Sequence, residues 1–207
     1  AACGFSATYG GQHVGHFGNA GAFSFHPRKA ITTGEGGMVT TGDEALATKI
    51  QQLRDHGAVL SDLQRHLGPK PYLLADHIHA GYNQRMTDIQ GALGAAQMDR
   101  AAAIITERRA LAAGFDRALE DLDWLRTPTV ADGFGHGYQS YPCMFRPNDI
   151  TADTVETINA ERNAWMEELQ ARGVSTRPAT HAVHMLSFYA EKYGLTPEVF
   201  PMAYAAN

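Results

Sequence analysis

The sequence predicts an α/β fold followed by a small α+β domain. Three observations carry this reading. The chain opens on a Gly-rich stretch holding two apolar strands, capped helices follow, and after Pro128 the pattern changes to strand, helix, strand, helix. Its 207 residues suffice for one domain or one and a half. Apolar residues at 44% and charged residues at 19% give a globular balance, which excludes a disordered chain.

The elements follow in order. Ala20–Phe25 (Ala-Gly-Ala-Phe-Ser-Phe) reads as a buried strand, and Gly36–Thr41 as a turn and second strand, with a polar loop, His26–Glu35, between them. Asp43 is placed to cap a helix from about Glu44 to Arg54, with Leu46, Ile50 and Leu53 on one face and His56-Gly57 as its stop. Residues 58–82 read as irregular, broken by Gly68-Pro69-Lys70-Pro71. Thr87-Asp88-Ile89-Gln90 is a capping box. It predicts one long helix to about Leu122, with Gly91, Gly94 and Gly114 as weak points. Tyr138–Phe145 reads as a strand. A helix then runs from Thr151–Thr154 to Arg172-Gly173, followed by a short strand, Val174–Arg177, and a short helix, His184–Tyr193, stopped by Gly194. No internal repeat or low-complexity tract is present.

The charge of −5 gives no electrostatic reason to expect nucleic acid. No apolar run approaches the ~20 residues that span a bilayer, so no membrane role is expected. Ala1–Gly10 lacks the basic-then-apolar order of a signal peptide, and Cys3 and Cys143 make no disulfide framework. A reduced, cytoplasmic setting is the expectation. The chain starts at Ala1-Ala2-Cys3-Gly4 without Met and stops at Pro201–Asn207 without a finishing element, so sequence is expected to be missing at both ends.

Lys29 is the leading chemical candidate. It sits in Ser24-Phe25-His26-Pro27-Arg28-Lys29, at the mouth of an apolar strand and before Thr32-Thr33-Gly34-Glu35-Gly36-Gly37. A catalytic amine needs cationic neighbours or partial withdrawal from water, and His26 and Arg28 stand beside it. Ser24, Thr32 and Thr33 offer hydroxyls that suit a phosphate, and the glycines let backbone approach. Taken alone, these features fit a surface lysine in a turn better than a catalytic one, because short motifs are weakly specific. Asn83, just before the Thr87 capping box, reads equally well as a turn or cap residue.

Three ordered motifs together are more specific. Phe23-Ser-Phe-His-x-x-Lys29 with Thr-Thr-Gly-Glu-Gly-Gly37, then Leu53-Arg54-x-His56-Gly57, then Gly81-Tyr82-Asn83-x-Arg85-Met86-Thr87-Asp88-Ile89-Gln90, resemble the DegT/DnrJ/EryC1/StrS family of aminotransferases, which act on nucleotide-linked keto sugars. The resemblance covers most of the chain and weakens after about residue 128. It implies the fold type I of enzymes dependent on pyridoxal 5'-phosphate (PLP): residues 1–122 as a partial large PLP-binding domain with its linking helix, and 123–207 as an incomplete small C-terminal domain. The implied reaction moves an amino group from an amino acid, glutamate by expectation, to a nucleotide-linked keto sugar. Lys29 would carry PLP as a Schiff base and later move a proton. Ser24 would hold the cofactor phosphate, Asn83 would reach the phosphate of the partner subunit in a homodimer with shared sites, Cys3 would pack at the pyridine ring, and His184 matches a residue near the substrate.

The sequence departs from the family pattern in places. Gln or His is usual where Cys3 stands, and His-Tyr where Ala179-Thr180 stands, which bears on the sugar pocket. The carboxylate that pairs with the pyridine nitrogen would lie upstream of Ala1, so residues 1–207 alone are expected to bind PLP weakly. Relatives acting as sugar dehydratases typically carry His in place of the lysine, so Lys29 argues for transamination. A regulatory relative that binds PLP or a sugar without turnover, and an inactive fragment, are the other readings. His181-Ala-Val-His184 and His77-Ile-His79 lack a completing Cys, Asp or Glu cluster, so no metal is expected. Neither a Gly-x-Ser-x-Gly elbow nor a Gly-x-x-x-x-Gly-Lys loop occurs, which removes α/β-hydrolase and phosphate-loop readings.

Overall fold

A computed structural model describes residues 1–151 and 153–206. The chain divides into two compact units: Ala1–Ala113 with Val130–Gln139, and Gly114–Thr129 with Ser140–Asn207.

In the first unit, β1 (Thr8–Tyr9) pairs antiparallel with β2 (Gln12–His13) on one side and with Phe134–Gly135, labelled β6, on the other. The Tyr9 ring meets Phe134 edge-on at 4.9 Å. β3 (Gly21–Ser24) and β4 (Gly37–Thr40) form an antiparallel hairpin, Gly21 opposite Thr40 and Ser24 opposite Gly37. These are the two strands expected from the apolar runs. Their connection, residues 25–36, folds over buried Phe25, Ala30 and Ile31 and carries the site.

α1 (Glu44–Arg54) starts where expected, the Asp43 carboxylate accepting from the Leu46 N–H at 3.0 Å. α2 (Asp62–Leu67) corrects the irregular reading of residues 58–82. Its Ser61–Gln64 capping box is complete, but fewer than two turns are too short to show a helical period. α3 (Asp88–Met98) begins at the Thr87–Gln90 capping box with both halves formed. The single helix expected to Leu122 is instead two. The chain tightens at Asp99-Arg100, where Arg100 N–H donates to the Gln97 carbonyl at 3.0 Å, and α4 (Ala101–Leu119) follows. Such a three-residue turn keeps helical dihedrals and carries no breaker residue. The expected weak points, Gly91, Gly94 and Gly114, lie inside intact helices.

In the second unit, β5 (Leu125–Arg126) pairs antiparallel with β7 (Met144–Phe145). The expected strand Tyr138–Phe145 is real only at this last pair. Tyr138 has φ 45°, outside strand geometry, and Pro142 has no N–H to give a ladder. α5 (Val155–Ala171) buries Val155 and Ile158, and Trp165 stacks on Trp124 at 5.4 Å. It ends as expected, Val174 N–H returning to the Leu169 carbonyl at 2.8 Å. The strand expected at Val174–Arg177 does not form; extended residues without a ladder partner are not a sheet. The helix expected over His184–Tyr193 is a 3-10 turn, Val183–Met185, then α6 (Ser187–Tyr193), which stops at left-handed Gly194 with φ 62°. α7 (Pro201–Ala205) is the final described helix. No helix among the described residues is long and apolar enough to cross a membrane.

One polar contact in this unit sets a pH dependence. Half-buried Tyr141 donates its hydroxyl to Asp116 at 2.5 Å. Burial first, and then the Asp116 hydrogen bond and charge, push the phenol up from 10.0 to about 12. The folded state therefore holds this proton more tightly than the unfolded state. That stabilisation is complete below the unfolded value and is lost as pH rises through about 12. Tyr141→Phe is expected to cost about 1 kcal/mol at neutral pH and to flatten the decline in stability above pH 10.0, measured against the parent by denaturant titration at a series of pH values.

Candidate active site

Lys29 closes a tight turn. His26 starts it, Pro27 supplies its fixed φ, and Lys29 N–H donates back to the His26 carbonyl at 2.9 Å. His26 Nδ1 accepts from Arg28 N–H at 3.2 Å, which braces the turn from inside. The wider loop closes on Phe25: its N–H donates to the Gly36 carbonyl at 2.9 Å, and its carbonyl accepts from Thr33 N–H at 3.0 Å. Thr32 Oγ1 donates to the same Phe25 carbonyl at 2.9 Å, and buried Thr33 Oγ1 donates to the Glu35 carbonyl at 2.8 Å. Both threonine hydroxyl protons are thus committed within the loop. This corrects the expectation that they face a phosphate: closing the loop takes the groups that anion binding would need.

The structure brings Cys3, Ser24 and Lys29 together. Half-buried Lys29 places Nζ 2.9 Å from Cys3 Sγ. Lys29 and Ser24 share a narrow crevice walled by Ala2, Phe5, Phe23 and Ile31. Ser24 Oγ accepts one long contact, 3.5 Å, from His26 N–H, which leaves its proton for another acceptor. The donor set suits PLP in kind, offering an amine for an aldehyde and a hydroxyl for a phosphate.

Asn83 is positioned independently of that crevice. The segment 82–84 is strapped to the end of α1: Tyr82 N–H donates to Leu53 O at 2.7 Å, His56 N–H to Tyr82 O at 2.8 Å, and Gln84 N–H to Arg54 O at 2.8 Å. Arg85 adds an ion pair to Asp55 at 2.7 Å. Just before the strap, the chain runs so close to the end of α1 that a Cβ on Gly57 would collide with the His79 carbonyl and one on Gly81 with the Gly57 backbone, and Gly57 has φ 77°. The Asn83 side chain is exposed, and no hydrogen bond joins it to Cys3, Ser24 or Lys29 among the described residues. His184 belongs to the second unit. It is 6% exposed, its ring meets Phe200 edge-on at 5.3 Å, and its Nε2 has no partner among the described residues.

Residue-level reading of the sequence missed two glutamines. Gln139 accepts from Ala30 N–H at 3.1 Å and donates to the Arg28 carbonyl, so it grips the backbone on both sides of Lys29. Gln97 does the same at Thr32, accepting from its N–H at 3.1 Å and donating to its carbonyl at 2.5 Å. Neither lies near the loop in sequence, and no motif marks either. Among the described residues no cluster of His, Cys, Asp and Glu is built to hold a metal.

The fold is α/β, and its leading candidate is a lysine on a strand-to-turn connection. The chain belongs to the DegT/DnrJ/EryC1/StrS aminotransferase family, whose sequence model matches residues 1–207. Its helices and small sheets match the fold type I architecture of that family. It is 32% identical over 203 residues to an uncharacterized protein of Methanocaldococcus jannaschii, covering 98% of this chain and 50% of that one. It is 33% identical over 185 residues to a GDP-perosamine synthase of Caulobacter vibrioides, covering 89% and 44%. The chain therefore spans about half the length of the curated relatives it matches. Among solved structures it resembles Helicobacter pylori PseC, an aminotransferase involved in the biosynthesis of pseudoaminic acid, with a TM-score of 0.81 at 24% identity over 99% of this chain and 51% of that one. An aminotransferase from Psychrobacter cryohalolentis has a TM-score of 0.78 at 28% identity, covering 97% and 52%.

The strap that holds Asn83 can be tested alone. Gly57→Ala is expected to lower stability by about 1–3 kcal/mol, since it forces a left-handed φ and a backbone collision. Gly42→Ala, which meets open space, is expected to stay within about 0.5 kcal/mol of the parent in the same thermal melts.

Proposed function

We propose that the protein is a PLP-dependent aminotransferase that moves an amino group from an amino acid to a nucleotide-linked keto sugar, with Lys29 as the cofactor lysine. The observation that carries this is the setting of Lys29: its Nζ lies 2.9 Å from Cys3 Sγ, on a locked turn beside Ser24. The name of the Caulobacter relative, a GDP-perosamine synthase, supports a sugar carried on a nucleotide.

In this reading Lys29 Nζ holds the cofactor, Ser24 Oγ donates to its phosphate, and Cys3 lies against its ring. When bound, PLP supplies an electron sink for breaking a bond to the amino donor's α-carbon. Lys29 Nζ would move a proton between that carbon and the cofactor. Positioned proton transfer of this kind contributes about 10²–10⁴-fold. The turn fixes the backbone of Lys29, which limits the reorganisation needed before each transfer.

The functional unit in this reading is a homodimer. Asn83, exposed on a rigid strap, would donate its amide to the phosphate held in the partner subunit's site. Free Cys3 and Cys143 fit a reduced, cytoplasmic setting.

Two experiments test these assignments. Borohydride reduction of the PLP-loaded full-length protein should fix the cofactor to the peptide containing Lys29, and Lys29→Ala should lose both the fixed label and turnover. Labelling at Lys49, Lys70 or Lys192 instead would remove Lys29 from the role. For the dimer, mixing full-length Lys29→Ala and Asn83→Ala subunits should restore part of the activity, because one site in each hybrid keeps both residues. Subunits shown to exchange without any recovery would rule out the shared site.

A further inference from the structure

We propose that Gln139 is a positioning residue for Lys29, a dedicated clamp that fixes the backbone from which the amine extends. This rests on the reading of Lys29 as the cofactor lysine. A glutamine amide carries one acceptor and two donors in a plane. Gln139 uses them on the two peptide groups that flank Lys29: Oε1 accepts from Ala30 N–H at 3.1 Å, and Nε2 donates to the Arg28 carbonyl. The amide therefore does for Lys29 what a neighbouring strand does for a sheet residue, with both backbone groups engaged from one side.

The surroundings explain why a clamp is needed. Lys29 lies beyond the last hairpin pair, Ser24 opposite Gly37, so no ladder reaches it. The internal bonds of the turn tie Lys29 N–H to His26 but leave the Arg28 carbonyl and the Ala30 N–H to other partners. Gln139 supplies both. It also lines the crevice that Ser24 and Lys29 share. Gln139 is itself held in the first unit by its own segment. Arg108 donates to the Tyr138 carbonyl at 3.0 Å, and Arg109 to the His136 carbonyl at 3.3 Å, so α4 anchors the segment that bears the clamp. Gln139 does not touch substrate in this account; it acts through Lys29.

The test uses the full-length protein and two readouts, one of which needs no cofactor. Gln139→Met keeps the length and removes both hydrogen bonds. Amide hydrogen exchange resolved at Ala30, without PLP, should speed up at least ~10-fold, the effect of losing a bond worth about 1.4 kcal/mol. Borohydride trapping with PLP should then give several-fold less label on Lys29, with Lys49, Lys70 and Lys192 unchanged. Gln139→Glu keeps the acceptor for Ala30 and loses the donor to Arg28. It should keep Ala30 protected and fall between parent and Gln139→Met in Lys29 labelling. If Gln139→Met does not fold, Gln139→Glu alone carries the test. Parental Ala30 exchange in Gln139→Met would refute the clamp. Faster exchange with parental Lys29 labelling would refute its action on Lys29, as would parental Lys29 labelling in Gln139→Glu. A parent protein that traps PLP on no particular lysine would instead overturn the cofactor reading, while the exchange data still report whether the clamp exists.

Discussion

The closure of the loop on Phe25 is the constraint from which the rest of the site follows. One residue gives its N–H to Gly36 and takes both the Thr33 N–H and the Thr32 hydroxyl on its carbonyl. Those three bonds turn an eleven-residue connection (26–36) into a ring whose ends cannot separate. Each is worth only about 1 kcal/mol net, but breaking one leaves a partly buried polar group unpaired, which costs more than the bond itself. The small apolar cluster beneath, Phe25, Ala30 and Ile31, is buried because the ring holds it down. Lys29 inherits its place from that closure and from the proline turn, without a long strand or helix under it.

Glutamine is the recurring tool for this. Gln139 and Gln97 each present an acceptor and a donor to loop backbone, and Gln90 reaches the Glu35 carbonyl at 3.0 Å while its Oε1 accepts from the N-terminal cap of α3. An Asn would be one methylene short, and a carboxylate could accept but not donate. The contacts come from α3 and from the segment after β6, so the loop is stitched to two parts of the first unit at once. This couples the order of the Lys29 turn to the folding of the whole unit rather than to its own short sequence.

That division also explains what the sequence made legible. Signals that act within a few residues were readable: the Asp43 cap, the Thr87–Gln90 capping box, the stop at Gly57, the two strands of the Lys29 hairpin, and the three motifs that identify the family. Where two distant segments decide, local pattern was silent. β6 is two residues long and exists because β1 lies beside it. The break after α3 has no breaker residue, and the tightened turn there leaves the apolar pattern intact. Thr32 and Thr33 looked available for a phosphate because a hydroxyl's partner is set by the fold. Gln139 acts on backbone 109 residues away, and nothing in its neighbours announces it.

Lys29 and Asn83 are positioned in the same unit by different physics. Lys29 is held by a ring of loop bonds and a side-chain clamp. Asn83 is held by backbone strapping to the end of α1, through two glycines that leave no room for a side chain. The first points inward, toward Cys3 and the crevice beside Ser24; the second presents an exposed amide. A rigid, exposed polar side chain has already lost much of the backbone freedom that binding would otherwise remove, so it is suited to a partner delivered from outside its own subunit. A half-buried amine on a closed loop is suited to the opposite task, holding a reacting group still while others come and go. On the proposed reading, the chain would meet the two demands of a shared site, an anchor for chemistry and an anchor for a neighbour, with preorganised backbone in both places.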